Sequence, residues 1–318
     1  MSARVRDLVH RLVESVGTVI VGKDDEIELC VLALLCRGHV LIEDVPGVGK
    51  TMLAKALARA SGCSFERVQF TPDLLPGDVT GVSVFDPRTT GFEFRRGPVF
   101  AQVLLADEIN RASPKTQSAL LEAMEEDQVT VDGQTHRLPE PFIVLATQNP
   151  IELGGTFPLP EAQVDRFLFK VDLGYLPLDD EVAMLDRFQM SSPLDDLLAV
   201  TTPEELTECQ TACAAVYCDP ALKEYCVRLV QRTRQHPDVA LGASPRGSLG
   251  LLHSAQARAA AQGREFVLPD DLKGLAAGVL THRVILTPNA ELRGVTASSV
   301  IDEVLAAEAV PTAARRLA

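Results

Sequence analysis

His39-Val40-Leu41-Ile42-Glu43-Asp44-Val45-Pro46-Gly47-Val48-Gly49-Lys50-Thr51 is the stretch on which the fold turns. Its first five residues make a compact apolar run of the kind that forms a buried strand. The Gly-rich turn after them leads into residues 51–60, an Ala-rich, helix-favouring segment. The order is strand, loop, helix. Backbone N–H groups of a loop so placed converge on a phosphate, and the helix N-terminus adds a positive dipole. In this pattern Lys50 reaches the β and γ phosphates and the Thr51 hydroxyl ligates magnesium. Glycine at 47 and 49 lets the backbone approach closely. The strict pattern opens on glycine where this chain has Asp44. Aspartate tolerates left-handed backbone better than most residues, so the loop is expected to form with its carboxylate turned away from the phosphates. Gly-rich turns also occur without ligands, and it is the position between strand and helix that favours the phosphate reading.

Working outward, short apolar runs recur at 65–70, 103–106, 142–146 and 167–171, giving five candidate strands patterned like those of a buried parallel sheet. Upstream, Leu8, Leu12, Val13 and Val16 fit one face of an opening helix, and Ile27, Val31, Leu34 and Leu35 fit a second. Two segments read as hairpins. Residues 82–85 and 92–94 flank a turn-rich stretch, and residues 128–131 and 134–138 flank Asp132-Gly133, a strong two-residue hairpin signal. After about Asp172 the strand signal stops. From Leu178 the chain reads as amphipathic helices separated by Ser-Pro, Thr-Pro and Leu-Pro breaks. A boundary near Leu176 therefore separates an α/β part, residues 1–176, from an all-helical part, residues 177–318.

Val103-Leu104-Leu105-Ala106-Asp107-Glu108 is an apolar strand that ends in two carboxylates, roughly 50 residues after the phosphate loop, the usual separation of such motifs. Asp107 is placed to hold magnesium through water, and Glu108 to polarise an attacking water. Phe142 to Asn149 is a further strand ending on an amide. At the C-terminal end of a strand in an open α/β sheet, Asn149 is placed to position that water and sense a γ-phosphate, although Asn149-Pro150 is also a turn signal. In the helical part, Ser244 reads as an N-cap and Pro245 as the first helical residue, so Arg246 stands at a helix start, where anions are favoured.

These runs, with Phe70-Thr71-Pro72-Asp73-Leu74-Leu75-Pro76-Gly77-Asp78-Val79-Thr80-Gly81, Ala106-Asp107-Glu108-Ile109-Asn110-Arg111-Ala112, Gln148-Asn149-Pro150, Phe157-Pro158-Leu159-Pro160-Glu161-Ala162-Gln163 and Gly242-Ala243-Ser244-Pro245-Arg246, resemble the MoxR family of AAA+ ATPases, in the family's order and across most of the chain. That family often has Glu-Asp-Val-Pro-Gly at its phosphate loop, so Asp44 departs from the general motif and not from the family. The resemblance implies a three-layer α/β/α P-loop core with a five-stranded parallel sheet and two hairpin inserts, followed by a helical lid. It implies that Lys50 and Thr51 match the Walker A pair, Asp107 and Glu108 the Walker B pair, Asn149 sensor 1 and Arg246 sensor 2. Arg166, in Val164-Asp165-Arg166-Phe167, matches an arginine finger acting on a neighbouring subunit, with Arg111 the alternative and an ion pair to Asp165 or Glu161 the bland reading. Val21-Gly22-Lys23 resembles the segment that packs on adenine. The nucleotide-binding set is then Val21, Gly22, Pro46, Gly47, Val48, Gly49, Lys50, Thr51, Met52 and Asp107, with Thr51 and Asp107 serving the metal.

The implied cofactors are ATP and Mg2+. The implied assembly is a homo-oligomer, a hexameric ring, because a site completed by a neighbour's arginine requires a ring-closing contact. The implied role is chaperone-like remodelling of client proteins, in particular proteins with von Willebrand factor A domains. The hairpins resemble inserts that line a pore or touch a client in related machines, with Phe85, Phe92, Phe94 and His136 as candidate contacts and ordinary packing as the alternative. A magnesium-chelatase-type ATPase subunit shares the inserts, but the runs at 70–81 and 106–112 favour MoxR. A non-catalytic nucleotide-gated scaffold gains no support from a chain with Lys50, Thr51, Asp107, Glu108 and Arg166 all in place.

Composition narrows the rest. A length of 318 residues suggests one large and one smaller domain. A net charge of -14 repels polyanions, which argues against a DNA-remodelling AAA+ protein and nucleic-acid partners generally. No apolar run approaches the roughly 18–20 residues that cross a bilayer, and Met1 to His10 lead into no secretory signal. A cytoplasmic protein is expected. Its seven cysteines, with no C-x-x-C pair, read as small buried thiols and not as zinc ligands.

Overall fold

The computed structural model describes residues 1–149, 156–189 and 192–311. The backbone divides into two compact units, Asp7–Gln210 and Met1–Arg6 with Thr211–Ala318.

The first unit is built on five strands: β1 (Val40–Glu43), β2 (Phe65–Gln69), then, beyond a first hairpin of β3 (Gly81–Asp86) and β4 (Gly91–Arg96), β5 (Val103–Asp107), and, beyond a second hairpin of β6 (Gln128–Val131) and β7 (Gln134–Arg137), β8 (Ile143–Gln148) and β9 (Phe169–Val171). The sheet order is β2-β5-β8-β1-β9, parallel throughout. All residues of β5, and all of β8 but Gln148, are buried. That is why these strands read as unbroken apolar runs and not as alternating ones. Because every strand runs the same way, the segments following β1, β5 and β8 leave at one edge of the sheet, with β8 between the other two. This places three sequence-distant motifs side by side.

The helices of this unit are α1 (Ser2–Gly17), whose first residues count with the other unit, α2 (Asp24–Leu35), α3 (Lys50–Ala60), α4 (Pro76–Thr80), α5 (Pro114–Glu126), α6 (Glu161–Val164), α7 (Leu178–Phe188), α8 (Pro193–Asp196) and α9 (Pro203–Ala214), which crosses the boundary. Leu8, Leu12 and Val16 of α1 and Ile27, Val31, Leu34 and Leu35 of α2 are all buried. His39, also buried, staples β8 to the end of α5: its Nδ1 accepts from the Val144 amide at 3.0 Å, and its Nε2 lies 3.1 Å from the Met124 carbonyl. An imidazole so bonded is neutral, and burial holds its pKa down at about 4.

Both hairpins form where the sequence places them. In β6–β7 the turn residues Asp132 and Gly133 have φ of 50° and 77°, the double positive φ of a type I′ turn. In β3–β4, Phe85 and Phe92 face each other across the strands in an edge-to-face pair and are 51% and 77% exposed. The hairpins touch through Phe94, whose ring stacks on His136 at 4.0 Å.

The sequence break near Leu176 falls inside the first unit. What ties the segment beyond it to the core is a set of bonds to backbone carbonyls. Arg187 donates to Gly17 and Thr18, Arg59 to Leu194 and Asp195, the Val200 amide to Ala60, and Gln210 to Leu34. Arg11 adds an ion pair with Glu205 at 3.0 Å.

The second unit is helical: α10 (Pro220–Gln235), α11 (Pro245–Ala261), α12 (Pro269–Leu280), α13 (Pro288–Leu292) and α14 (Ala297–Ala307), with one short antiparallel pair, β10 (Val239–Leu241) and β11 (Ile285–Leu286). Proline stands at the start of α10 to α13, where its missing N–H has no intrahelical partner to lose. Tyr225, Leu229, Leu251, Leu272, Val279, Val300 and Ile301 form the interior. All seven cysteines are free thiols, and burial pushes Cys30 and Cys226 up to about 12. Among the described residues, no helix is long and apolar enough to cross a membrane.

Candidate nucleotide-binding site

Strand β1 delivers the chain to its phosphate loop at the sheet edge. Gly47 and Gly49 have φ of 90° and 95°, a left-handed region costly for any residue with a side chain, and a Cβ built on either meets no atom within 4 Å. Both glycines therefore border open space. Gly49 is the N-cap of α3 and supplies no side-chain cap, so the first-turn N–H groups at the positive end of the helix are left for an external acceptor. Lys50 and Thr51 are the first two residues of α3. The Lys50 ammonium donates to the Asp44 carbonyl at 2.7 Å. Burial lowers the Lys50 pKa, against the opposing pull of Asp44, Asp107 and Glu108.

Asp44 behaves differently from the expectation. Its φ is not among the positive values, so left-handed tolerance is not what suits it to this position. Its buried carboxylate instead accepts the Val45 amide at 2.7 Å and the Gly174 amide at 2.5 Å. The carboxylate is thereby engaged by backbone and bridges the loop to the segment after β9.

At the end of β5, Asp107 is buried and Glu108 adopts φ 57°, the left-handed region, which turns the chain sharply between the two carboxylates. Thr147 in β8 joins them: its hydroxyl donates to Asp107 Oδ1 at 2.6 Å and accepts the Glu108 amide at 2.8 Å. Two residues on, Asn149 is buried at the end of the same strand. Pro150 lies outside the described residues. On the other side, β2 contributes two polar residues on one face. Arg67 donates twice to Asp107 Oδ2, at 3.1 and 2.6 Å, and Gln69 donates to Glu108 Oε2 at 2.5 Å. Arg111 pairs with the same Glu108 oxygen at 3.3 Å. Sequence reading missed Thr147, Arg67 and Gln69. The only hint was that Gln69 and Thr147 stand near the C-terminal ends of candidate strands.

Beside the loop lies a cavity of about 300 Å³. Pro46, Gly47, Val48, Gly49 and Met52 line one wall, Val19, Ile20, Val21 and Lys23 a second, and Gly174, Tyr175, Leu176, Glu181, Met184 and Phe188 a third. Gly22 has φ of 66°, the left-handed region that favours glycine, and a Cβ there would also crowd the Asp180 carboxylate at 2.3 Å. The third wall, from residues 174–176 and the length of α7, was not anticipated from sequence. Its size and mixed apolar and backbone lining suit a flat heterocycle.

The two sequence-predicted arginines stand one in each unit. Arg166 ion-pairs with Glu125 of α5 at 2.8 Å, while its buried Nε has no hydrogen-bond partner. Arg246 belongs to the other unit, where Ser244 caps α11 by accepting the Arg246 amide at 3.0 Å, with Pro245 as the first helical residue. Gly242 packs against the Arg234 backbone, and Arg234 donates to the Ala243 carbonyl at 2.8 Å, which fixes the approach to this helix start.

The donors present suit a magnesium-bound nucleoside triphosphate. Among the described residues no group of three or more His, Cys, Asp or Glu would hold a metal alone. A hydroxyl, one carboxylate and an open glycine loop are what magnesium needs when phosphates supply its remaining ligands. Such a site on a five-stranded parallel sheet of this order, with a helical second unit, defines a P-loop protein of the AAA+ class.

Comparison with known proteins agrees. Residues 39–169 match the ATPase family associated with various cellular activities (AAA), and residues 231–304 match an AAA lid domain. The chain is 52% identical over 304 residues to the uncharacterized protein YeaC of Bacillus subtilis (strain 168), covering 96% of this chain and 95% of that one. It is 42% identical over 320 residues to the chaperone MoxR1 of Mycobacterium tuberculosis, covering 98% and 84%. A solved structure of a candidate ATPase from Cytophaga hutchinsonii superposes with a TM-score of 0.91 at 37% identity, covering 98% and 97%. The chain belongs to the MoxR family of AAA+ ATPases.

Proposed function

We propose that this chain binds ATP with Mg2+ and hydrolyses it at the γ-phosphate, using that turnover to remodel client proteins. The observation that carries the reading is the convergence of β1, β8 and β5 at one sheet edge. There Asp107 and Glu108 come close enough to Lys50 to oppose the lowering of its pKa. In this reading Lys50 holds the β and γ phosphates, Thr51 ligates magnesium and Asp107 holds it through water. Glu108 orients the attacking water, and Asn149 positions that water against the γ-phosphate. Magnesium held there would supply positive charge against that developing on the phosphates. Val21, Gly22, Pro46, Val48 and Met52 border the adenine.

Arg246 acts as sensor 2, and Arg166 as an arginine finger toward a neighbouring subunit in a hexameric ring. The client class is a protein with a von Willebrand factor A domain. Membership in a family with a named chaperone supports the remodelling role, and the free thiols support a cytoplasmic setting.

Glu108→Gln and Lys50→Ala test the assignment together. Glu108→Gln is expected to keep ATP affinity and to lose turnover, whereas Lys50→Ala weakens binding itself. Equal loss of affinity in both variants, measured with a fluorescent ATP analogue, contradicts the role given to Glu108.

A further inference from the structure

Three of the roughly four acceptor positions of the Asp107 carboxylate are taken by protein groups. Thr147 uses one on Oδ1 and Arg67 uses two on Oδ2. The Thr147 bond is neutral and orients the carboxylate. The Arg67 bonds bring a full positive charge to 2.6 Å from the oxygen. No step in the reaction described above needs that charge.

Arg67 stands on β2, the edge strand, at the same face as Gln69, and its Nη2 also donates to Gln69 Oε1 at 3.0 Å. Its side chain is 46% exposed, against 12% for Asp107. The arginine thus has solvent to swing into, and the aspartate has nowhere to go. A partly exposed pair of this kind adds little to stability, so its removal leaves a folded protein.

We propose that Arg67 is a positioning residue that competes with magnesium for Asp107, and so sets the magnesium concentration at which the site takes up nucleotide. The proposal rests on the reading of Asp107 as the metal-side carboxylate. A guanidinium on Oδ2 satisfies the charge that draws the hydrated metal, and a divalent ion beside it is repelled. Arg67 would swing out where a hydrated metal is held at Asp107 and pair with Asp107 again once it is gone. The effect acts on metal-dependent binding and leaves metal-free nucleotide contacts largely alone.

The test is a magnesium titration of mant-ADP fluorescence on the full chain, comparing wild type with Arg67→Met, Arg67→Lys and Asp107→Asn. Complexation of magnesium by free nucleotide is common to all four and cancels in the comparison. Arg67→Met keeps the aliphatic stem and is expected to lower the magnesium midpoint by about fivefold, the scale of a partly exposed ion pair. Arg67→Lys keeps the charge with a single donor group and is expected to fall between Met and wild type. Melting curves show that each variant is folded. An unchanged or raised midpoint in Arg67→Met overturns the proposal, as does an Arg67→Lys midpoint at or below that of Arg67→Met. If wild type shows no metal-dependent increment, or Asp107→Asn retains all of it, the metal-side reading of Asp107 fails first and takes this proposal with it.

Discussion

Asp44 reaches the backbone amide of Gly174, 130 residues further along the chain, at 2.5 Å, and closes the phosphate loop of β1 onto the segment that leaves β9. This one bond couples the loop that would hold phosphate to the wall of the cavity formed by Tyr175 and Leu176. The side chain that breaks the general glycine pattern therefore has a structural task that glycine could not perform.

Asp44→Gly is accordingly expected to weaken nucleotide binding although Asp44 makes no phosphate contact. The substitution leaves the part-buried Val45 and Gly174 amides without their carboxylate, at a cost for each below the roughly 1–3 kcal/mol of a fully buried unsatisfied group. Both the melting temperature and the affinity for a fluorescent ATP analogue should fall. An affinity equal to wild type shows that the loop holds its shape unaided.

Arg246 opens α11 at its positive end, where a γ-phosphate would be favoured. If it touches that phosphate, Arg246→Ala lowers discrimination between ATP and ADP more than it lowers ADP affinity. Parallel titrations with both nucleotides check this, and unchanged discrimination leaves Arg246 as an ordinary helix-start residue.

Arg166 carries the assembly argument. An arginine finger contributes on the order of a thousandfold or more in rate, so Arg166→Ala is expected to lose most turnover while still binding ATP. In the single chain its guanidinium pairs with Glu125, a contact that a structural role would also need. Mixing supplies the control. Arg166→Ala subunits lack the finger and Lys50→Ala subunits lack the acceptor site, so co-assembled rings should recover activity at interfaces that pair an intact site with an intact finger. A co-assembled mixture as inactive as both parents removes Arg166 from any role between subunits.

His39 predicts a pH dependence of stability. Its folded pKa of about 4 lies below the ordinary 6.5, so between those values the unfolded chain binds more protons than the folded one. Stability from this residue is present above 6.5 and declines as pH falls toward 4, by about 3 kcal/mol in all. His253, also held low by burial, acts in the same direction. The difference in pH slope between wild type and His39→Gln isolates the His39 share. Identical slopes from pH 7 to 4.5 contradict it.

The sequence by itself determined what depends on neighbouring residues. Unbroken apolar runs marked β1, β5 and β8 close to where they are observed, because strands buried on both faces have no polar side to show, while the edge strands β2 and β9 carry Glu66, Arg67, Gln69 and Lys170 between their apolar residues. Asp132-Gly133 gave a type I′ hairpin because that turn needs two positive φ angles. Ser244-Pro245 gave the start of α11 because a hydroxyl cap and a preset φ act within one turn. Tertiary structure alone decided which groups meet. That Arg67 and Gln69 face the two carboxylates follows from β2 lying next to β5 in register, a pairing set by sheet order. Thr147 reaches both Asp107 and Glu108 because β8 lies on the other side of β5. The third wall of the cavity, the partner of Arg166 and the extension of the first unit to Gln210 likewise rest on contacts between residues far apart in the chain. Local preference is written in adjacent side chains through backbone sterics and hydrogen-bonding reach. A contact spanning 40 or 130 residues exists only once the packing of the sheet has brought its two ends together.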